Sequence, residues 1–173
     1  MFPTPESLAS GSNAMSSKHP SSNQPPRPIR ATSDALNLLA ANVPPELLSL
    51  KAWVAWDGTI GRNKKVSKAP LDAKTGRHAK SNDSETWSSS EVARSFALKD
   101  NRAGGLSLAL TGCDYWALDL DHVIDLVTGE ICAEVRAFLA IIRPTYVERS
   151  PSGDGLHVIF KGQRPSVLRS TLA

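Results

Sequence analysis

Two rhythms of apolar and polar residues run along positions 32–162 of this chain. Residues 53–56, 106–110, 115–120, 146–149 and 156–160 are short apolar or alternating runs. Gly, Pro, Asp or Ser bounds most of them, and each predicts a strand. The two tryptophans of Trp53-Val54-Ala55-Trp56 are three apart and cannot share a face, which puts one in the core and the other under a loop. Helical spacing takes over elsewhere. Leu36, Leu38 and Leu39 predict a short helix capped by Ser33 or Asp34 and broken at Pro44-Pro45. A second short helix over 45–50 has Pro at its first turn, where a missing N–H does no harm. Val92, Ala93, Phe96 and Ala97 form a stripe behind Ser88-Ser89-Ser90-Glu91, which reads as a capping box with Ser88 three residues before Glu91. Ile131, Val135, Phe138, Leu139 and Ile142 form a further stripe, opened by Thr128-Gly129 and ended by Pro144. Between these lie a hairpin tip at 61–65, an extended piece at 68–72 where Pro70 biases Ala69 away from helix, and a turn at Thr75-Gly76-Arg77. Gly104-Gly105 closes the third helical unit, and 106–110 reads as a central strand. The order αα-β-α-ββ-α-ββ, with short hairpins, predicts α+β rather than a doubly wound parallel sheet.

Residues 1–31 break this pattern. They are rich in Ser, Pro and Asn, hold almost no apolar cluster, and read as a disordered tail ahead of one domain over 32–173. Ser12-Asn13-Ala14 has the look of a tag remnant, which would put the natural start at Met15. No run approaches the roughly 20 apolar residues of a membrane helix, and no signal-peptide core opens the chain; the expected setting is cytoplasmic, without membrane partners. Cys113 and Cys132 lack metal-type spacing and read as reduced, buried small hydrophobes. The net charge of +3 is mild, but Arg62, Lys64, Lys65, Lys68, Lys74, Arg77 and Lys80 face a single acid, Asp72. That excess is a footprint for phosphate or nucleic acid, or else a solvated loop.

Asp119-Leu120-Asp121 carries the clearest chemistry. In a strand, residues i and i+2 share a face about 6–7 Å apart, while Leu118 and Leu120 turn to the core. Two carboxylates at that distance repel by roughly 2–3 kcal/mol at an effective dielectric near 20, which a divalent cation relieves. Mg²⁺ binds through one or two carboxylates plus substrate phosphates. The competing reading is a pair of solvated acids on an edge strand. His122 falls in a loop, and Asp125 turns the connection at Thr128-Gly129. Downstream, Ser150-Pro151-Ser152-Gly153-Asp154-Gly155-Leu156-His157 joins two strands through a turn in which Gly153 and Gly155 permit positive φ. Its amides form an anion-binding concavity, Ser152 adds a hydroxyl, and His157 faces away from Leu156 and Val158 at its mouth. The bland alternative is a hairpin with a structural histidine. A Ser152–His157–Asp154 hydrolase lacks the strand–turn–helix elbow such enzymes use.

In this order the motifs resemble the primase-polymerase domain of phage and plasmid replication proteins, in the archaeo-eukaryotic primase superfamily. The likeness spans about residues 45–162: Trp53-Val54-Ala55-Trp56; Lys65, Lys68 and Pro70 with Thr75-Gly76-Arg77; Asp83, Thr86 and Trp87; Gly104-Gly105-Leu106 with Thr111-Gly112; Leu118-Asp119-Leu120-Asp121; and the turn ending at His157. The resemblance implies an α+β, primase-like fold with an RRM-like catalytic half. It implies DNA primase/polymerase-type nucleotidyl transfer in phage, plasmid or prophage replication. Asp119 and Asp121 would hold Mg²⁺ or Mn²⁺. Ser152, Gly153, Gly155, His157 and Lys68 would hold a nucleoside triphosphate. Arg62, Lys64, Lys65, Arg77 and Lys80 would meet a single-stranded DNA template, and a replicative helicase domain or protein would be the partner. The superfamily's third acid lies on a strand after the histidine, yet none of the 16 residues after His157 is acidic. The expected domain is therefore C-terminally incomplete; Glu148 points toward the right region and could substitute, though nothing in the sequence demands it. Two alternatives stand beside this reading: a non-catalytic single-stranded DNA or replication-protein binding module built on the basic stretch, and a metal-dependent phosphohydrolase.

Overall fold

A computed structural model describes residues 27–165 and is α+β. Helix α1 (Ser33–Asn42) starts from Thr32, whose hydroxyl accepts the Ala35 amide, rather than from Ser33 or Asp34. Helix α2 (Pro45–Leu48) has Pro at its first position. Strand β1 (Trp53–Asp57) follows, and then the hairpin tip, closed by the Gly61 amide on the Lys65 carbonyl at 2.8 Å. Strand β2 (Pro70–Leu71) is the extended piece around Pro70. Helix α3 (Ser90–Lys99) is capped by Ser89, whose hydroxyl accepts the Val92 amide. The expected cap, Ser88, is instead buried and donates to the Trp53 carbonyl. Strands β3 (Ala103–Leu108) and β4 (Tyr115–Leu120) precede helix α4 (Ala133–Ile141), and strands β5 (Tyr146–Arg149) and β6 (Leu156–Lys161) follow it. Thr128-Gly129 does not open α4. It turns a small loop in which Asp125 accepts the Val127 and Thr128 amides, and the helix begins four residues later.

The strands form two antiparallel sheets, ordered β2-β1-β3 and β4-β6-β5. β1 is thus the central strand of the first sheet, and β3, expected to be central, is an edge. The reason lies at Trp56. Gly104 and Gly105 sit inside β3, not ahead of it, and a Cβ at Gly104 would lie 2.2 Å from the Trp56 indole ring. Trp56 is therefore covered by strand glycines rather than by a loop. Trp53 points the other way, buried with Val43 and Leu47, and its indole N–H donates to the Leu47 carbonyl at 3.0 Å.

The two sheets meet in one cluster that combines Trp53 with Tyr115 and Ile159, and with Leu106, Leu108 and Tyr146 at its margin. The opposite face of the second sheet packs on α4 through Leu156, Val158, Val135 and Leu139. α4 itself buries no residue fully; Phe138 and Ile141 remain exposed, as do Leu126 and Val127 in the loop before it. Cys132 is exposed at the start of α4 and Cys113 half-buried, so neither is the core residue expected. Most of the expected tail and of its tag-like stretch lies outside the described residues, as do residues 166–173. Of the expected tail residues that are described, Ile29 and Ala31 are bonded to the domain: their amides donate to the Gly58 and Ala103 carbonyls. Among the described residues no helix is long and apolar enough to cross a membrane.

The Trp56–Gly104 contact yields a stability test. Gly104→Ala overpacks a buried ring and is expected to cost about 2–3 kcal/mol, toward the upper end for added core atoms. Urea unfolding should show this loss shrinking sharply in a Trp56→Ala background, since the clashing ring is then gone. An equal loss in both backgrounds would mean that the ring is not what excludes the methyl group.

Candidate functional site

Alternation along β6 builds the site. Leu156 and Val158 face α4, so His157 and Ile159 face the first sheet. The ladder sets Asp119 of β4 and Glu148 of β5 directly opposite His157, one on each side. The imidazole Nδ1–H donates to Glu148 Oε1 at 2.9 Å, and Nε2 lies 3.8 Å from Asp119 Oδ1. This row borders a cleft of about 630 Å³ between the sheets. Trp53, Trp56 and Leu106 supply apolar wall, Trp87 and Tyr146 add aromatic rings, and Lys68 and Lys80 supply positive charge.

The electrostatics follow from this row. The Glu148 hydrogen bond is the main reason the His157 pKa is raised above its ordinary 6.5; burial opposes it, the Glu148 and Asp119 charges reinforce it, and Lys68 subtracts. Burial, and then the Glu148 carboxylate, push the Tyr146 hydroxyl up to about 12. Lys68 sits beside the bulge at Trp56/Asp57 with φ of +55°, and its amide donates to the Asp57 carbonyl at 2.7 Å. A left-handed conformation at a residue other than glycine costs about 1–2 kcal/mol. The flanking hydrogen bonds offset that cost and fix where the lysine leaves the backbone.

Asp119 is thus in the cleft. Asp121 is the first residue past β4, exposed, and not among the cleft-lining residues. Among the described residues no group of three His, Cys, Asp or Glu side chains gathers at metal-binding distance. The donor set still suits a hard cation, because one or two carboxylates suffice when phosphates and water complete the shell.

The Ser150–Gly155 turn adjoins the cleft through Pro151, while Ser152, Gly153 and Gly155 do not line it. Three of its amides are already bonded within the turn. Those of Ser150, Gly153 and Gly155 donate to Gly155 O, Ser150 O and Ser150 Oγ. The Ser150 and Ser152 hydroxyls bond at 2.8 Å, and Ser152 and His122 together hold the Asp154 carboxyl below its usual range. Only Gly153 of the two glycines has positive φ, +87°. Gly155 is needed for room: a Cβ there would lie 2.8 Å from the Leu120 carbonyl oxygen and 2.9 Å from Ser150 Oγ. The Asp154 carbonyl accepts the Val123 and Ile124 amides, and His122 Nδ1–H donates to its carboxylate at 2.6 Å. The turn is therefore clasped to the end of β4. It does not assemble a Ser152–His157–Asp154 triad, because Asp154 is bonded to His122 and His157 to Glu148.

The basic stretch divides. Lys68 and Lys80 reach the cleft, and Lys80 also pairs with Asp83 at 3.6 Å. Arg62, Lys64 and Lys65 stand exposed on the hairpin tip, and Arg77 on the next turn. The single acid among them, Asp72, is buried and accepts the Lys74 amide and the Thr75 hydroxyl. Of the cleft's polar groups, sequence reasoning passed over Tyr146 and gave Glu148 no more than a substitute's role. The signal for both is parity: residues 146 and 148 share a strand face, and the ladder sets 148 against His157.

No protein-family profile matches the chain. It is 32% identical over 126 residues to a protein named DNA Primase-polymerase from Nitratiruptor phage NrS-1. The match takes in 72% of this chain and 17% of that protein's length. The chain is thus related to a primase-polymerase, as its motifs suggest.

The raised His157 value has a sign that can be tested. A histidine whose pKa is higher folded than unfolded stabilises the fold fully below the unfolded value, and that contribution is lost as pH rises through the folded value. Urea unfolding of the wild type and His157→Gln across about pH 5 to 9 should therefore show the largest stability gap at the acid end, closing upward. A gap that widens with pH would contradict the Glu148–His157 pairing.

Proposed function

We propose that this chain, a relative of a phage primase-polymerase over most of its length, forms the nucleotide-binding portion of a primase-polymerase-type nucleotidyl transferase. The observation that carries the reading is the row Asp119–His157–Glu148 across β4, β6 and β5, facing Lys68 over a cleft of nucleotide size. The arrangement fits a primase-like catalytic half in which the Asp-x-Asp strand and the histidine strand are neighbours.

In this reading Asp119, with Asp121 at the strand end, would hold Mg²⁺ or Mn²⁺. Bound there, the cation neutralises phosphate charge and lowers the pKa of an attacking hydroxyl. The chain's own groups do the rest. The protonated ring of His157, which the Glu148 bond favours, donates Nε2–H to a triphosphate oxygen, and its proximity to Asp119 keeps that contact beside the reacting phosphate. Lys68 adds a fixed positive charge. Trp53, Trp56 and Leu106 exclude water from one wall of the cleft, which strengthens each of these interactions. The Ser152 turn supports the site from behind by clasping the end of β4. Arg62, Lys64 and Lys65 lie outside the cleft on the hairpin tip, a placement that suits contact with a single-stranded template rather than with the nucleotide.

Two measurements test this. Asp119→Asn is expected to weaken Mn²⁺-dependent binding of a deoxynucleoside triphosphate by about tenfold or more, the loss of one charged ligand contact. Unchanged affinity would remove the carboxylate from the site. Replacing Arg62, Lys64 and Lys65 by Ala should leave nucleotide affinity alone. It should also make the salt dependence of single-stranded DNA binding shallower by about 2 in log–log slope, given about 0.7 per phosphate contact. An unchanged slope would take the hairpin tip out of the template path.

A further inference from the structure

We infer that Glu148 is the positioning residue of this cleft: it decides which nitrogen of His157 faces the ligand. The inference rests on the nucleotide reading of the cleft.

Glu148 and His157 are direct cross-strand partners, so the antiparallel ladder itself brings their side chains together. An ionised carboxylate only accepts hydrogen bonds, so the imidazole nitrogen 2.9 Å from Glu148 Oε1 must carry a hydrogen. That nitrogen is Nδ1. The ring orientation then leaves Nε2 as the free position. Nε2 points toward Asp119 Oδ1 but stops 3.8 Å short, beyond hydrogen-bond distance. Among the described residues it therefore has no partner at bonding distance, which leaves it open to a ligand in the cleft. Tyr146 lies two residues before Glu148, on the same face of β5, and lines the same cleft. The Glu148 carboxylate thus holds the imidazole of the neighbouring strand. Without that grip the His157 ring is free to turn about its Cβ–Cγ bond and exchange the nitrogens it presents.

A different role, Glu148 as a further carboxylate for the cation, makes opposite predictions, because Gln keeps a hydrogen-bond acceptor but loses the charge a metal needs. The test uses the whole chain, with intrinsic Trp fluorescence read as a deoxynucleoside triphosphate is added with Mn²⁺. Mn²⁺ alone is titrated separately by electron paramagnetic resonance. His157→Ala is the reference and is expected to weaken triphosphate binding by about tenfold. Glu148→Ala should weaken it to within about threefold of that, and the double variant should be no worse than His157→Ala, since the two residues act as one unit. Glu148→Gln should recover most of the affinity. Affinity for Mn²⁺ alone should be unchanged in Glu148→Ala. Additive losses in the double variant would overturn the inference. So would Glu148→Gln as damaging as Glu148→Ala together with weakened Mn²⁺ binding, which would make Glu148 a ligand. If His157→Ala itself binds normally, the nucleotide reading fails and takes the inference with it. If His157→Ala is impaired and Glu148→Ala is not, the inference alone fails.

Discussion

The register between β4, β6 and β5 is the constraint on which this structure most depends. One face of that sheet closes on α4 with Leu118, Leu120, Leu156, Val158 and Val147, and the other turns Asp119, His157 and Glu148 into the cleft. Strand side chains alternate with period two, so a slip of one residue would exchange these sets and bury charge against leucines. The burial of Val158 and Leu156 therefore fixes the chemistry as well as the core. The three ionisable groups need no separate scaffold to meet; the apolar residues between them do the aligning.

Around that sheet, the first sheet serves as a wall. Its central strand is buried on both faces, Trp53 against α2 and Trp56 against β3. Two rings of that size on opposite faces of one strand leave little freedom for anything packed beside them. The glycines of β3 exist to admit one of these rings. Beside the bulge at Trp56/Asp57, the Asp57 carbonyl accepts the amide of Lys68, so a cleft lysine is tied to the strand that houses the tryptophan.

Much of this was legible in the sequence. Periodicity located β1, β4, β5 and β6 and the stripes of α3 and α4, because these depend on local alternation that burial reinforces. Asp119 and His157 stood out because an ionisable side chain inside an apolar run is costly to keep unless it is paired or put to use. What escaped depended on contacts between distant positions. Gly104-Gly105 looked like punctuation because nothing local says that a ring fifty residues away lies over it. Ser88 looked like a cap until its hydroxyl was required by the Trp53 carbonyl. The Ser152 turn looked like an anion cradle because the internal use of its amides and hydroxyls is not written in its composition. Glu148 could be ranked only once the ladder showed what stands across from it.

The clasp at Asp154 has a mechanical consequence. Its carbonyl holds two amides of the β4–α4 connection, its carboxylate holds the His122 ring, and Gly155 nests under the last carbonyl of β4. Asp121 and His157 leave the two ends of this clasp, so the segment bearing the second aspartate is tied to the start of the histidine strand although 36 residues separate the two.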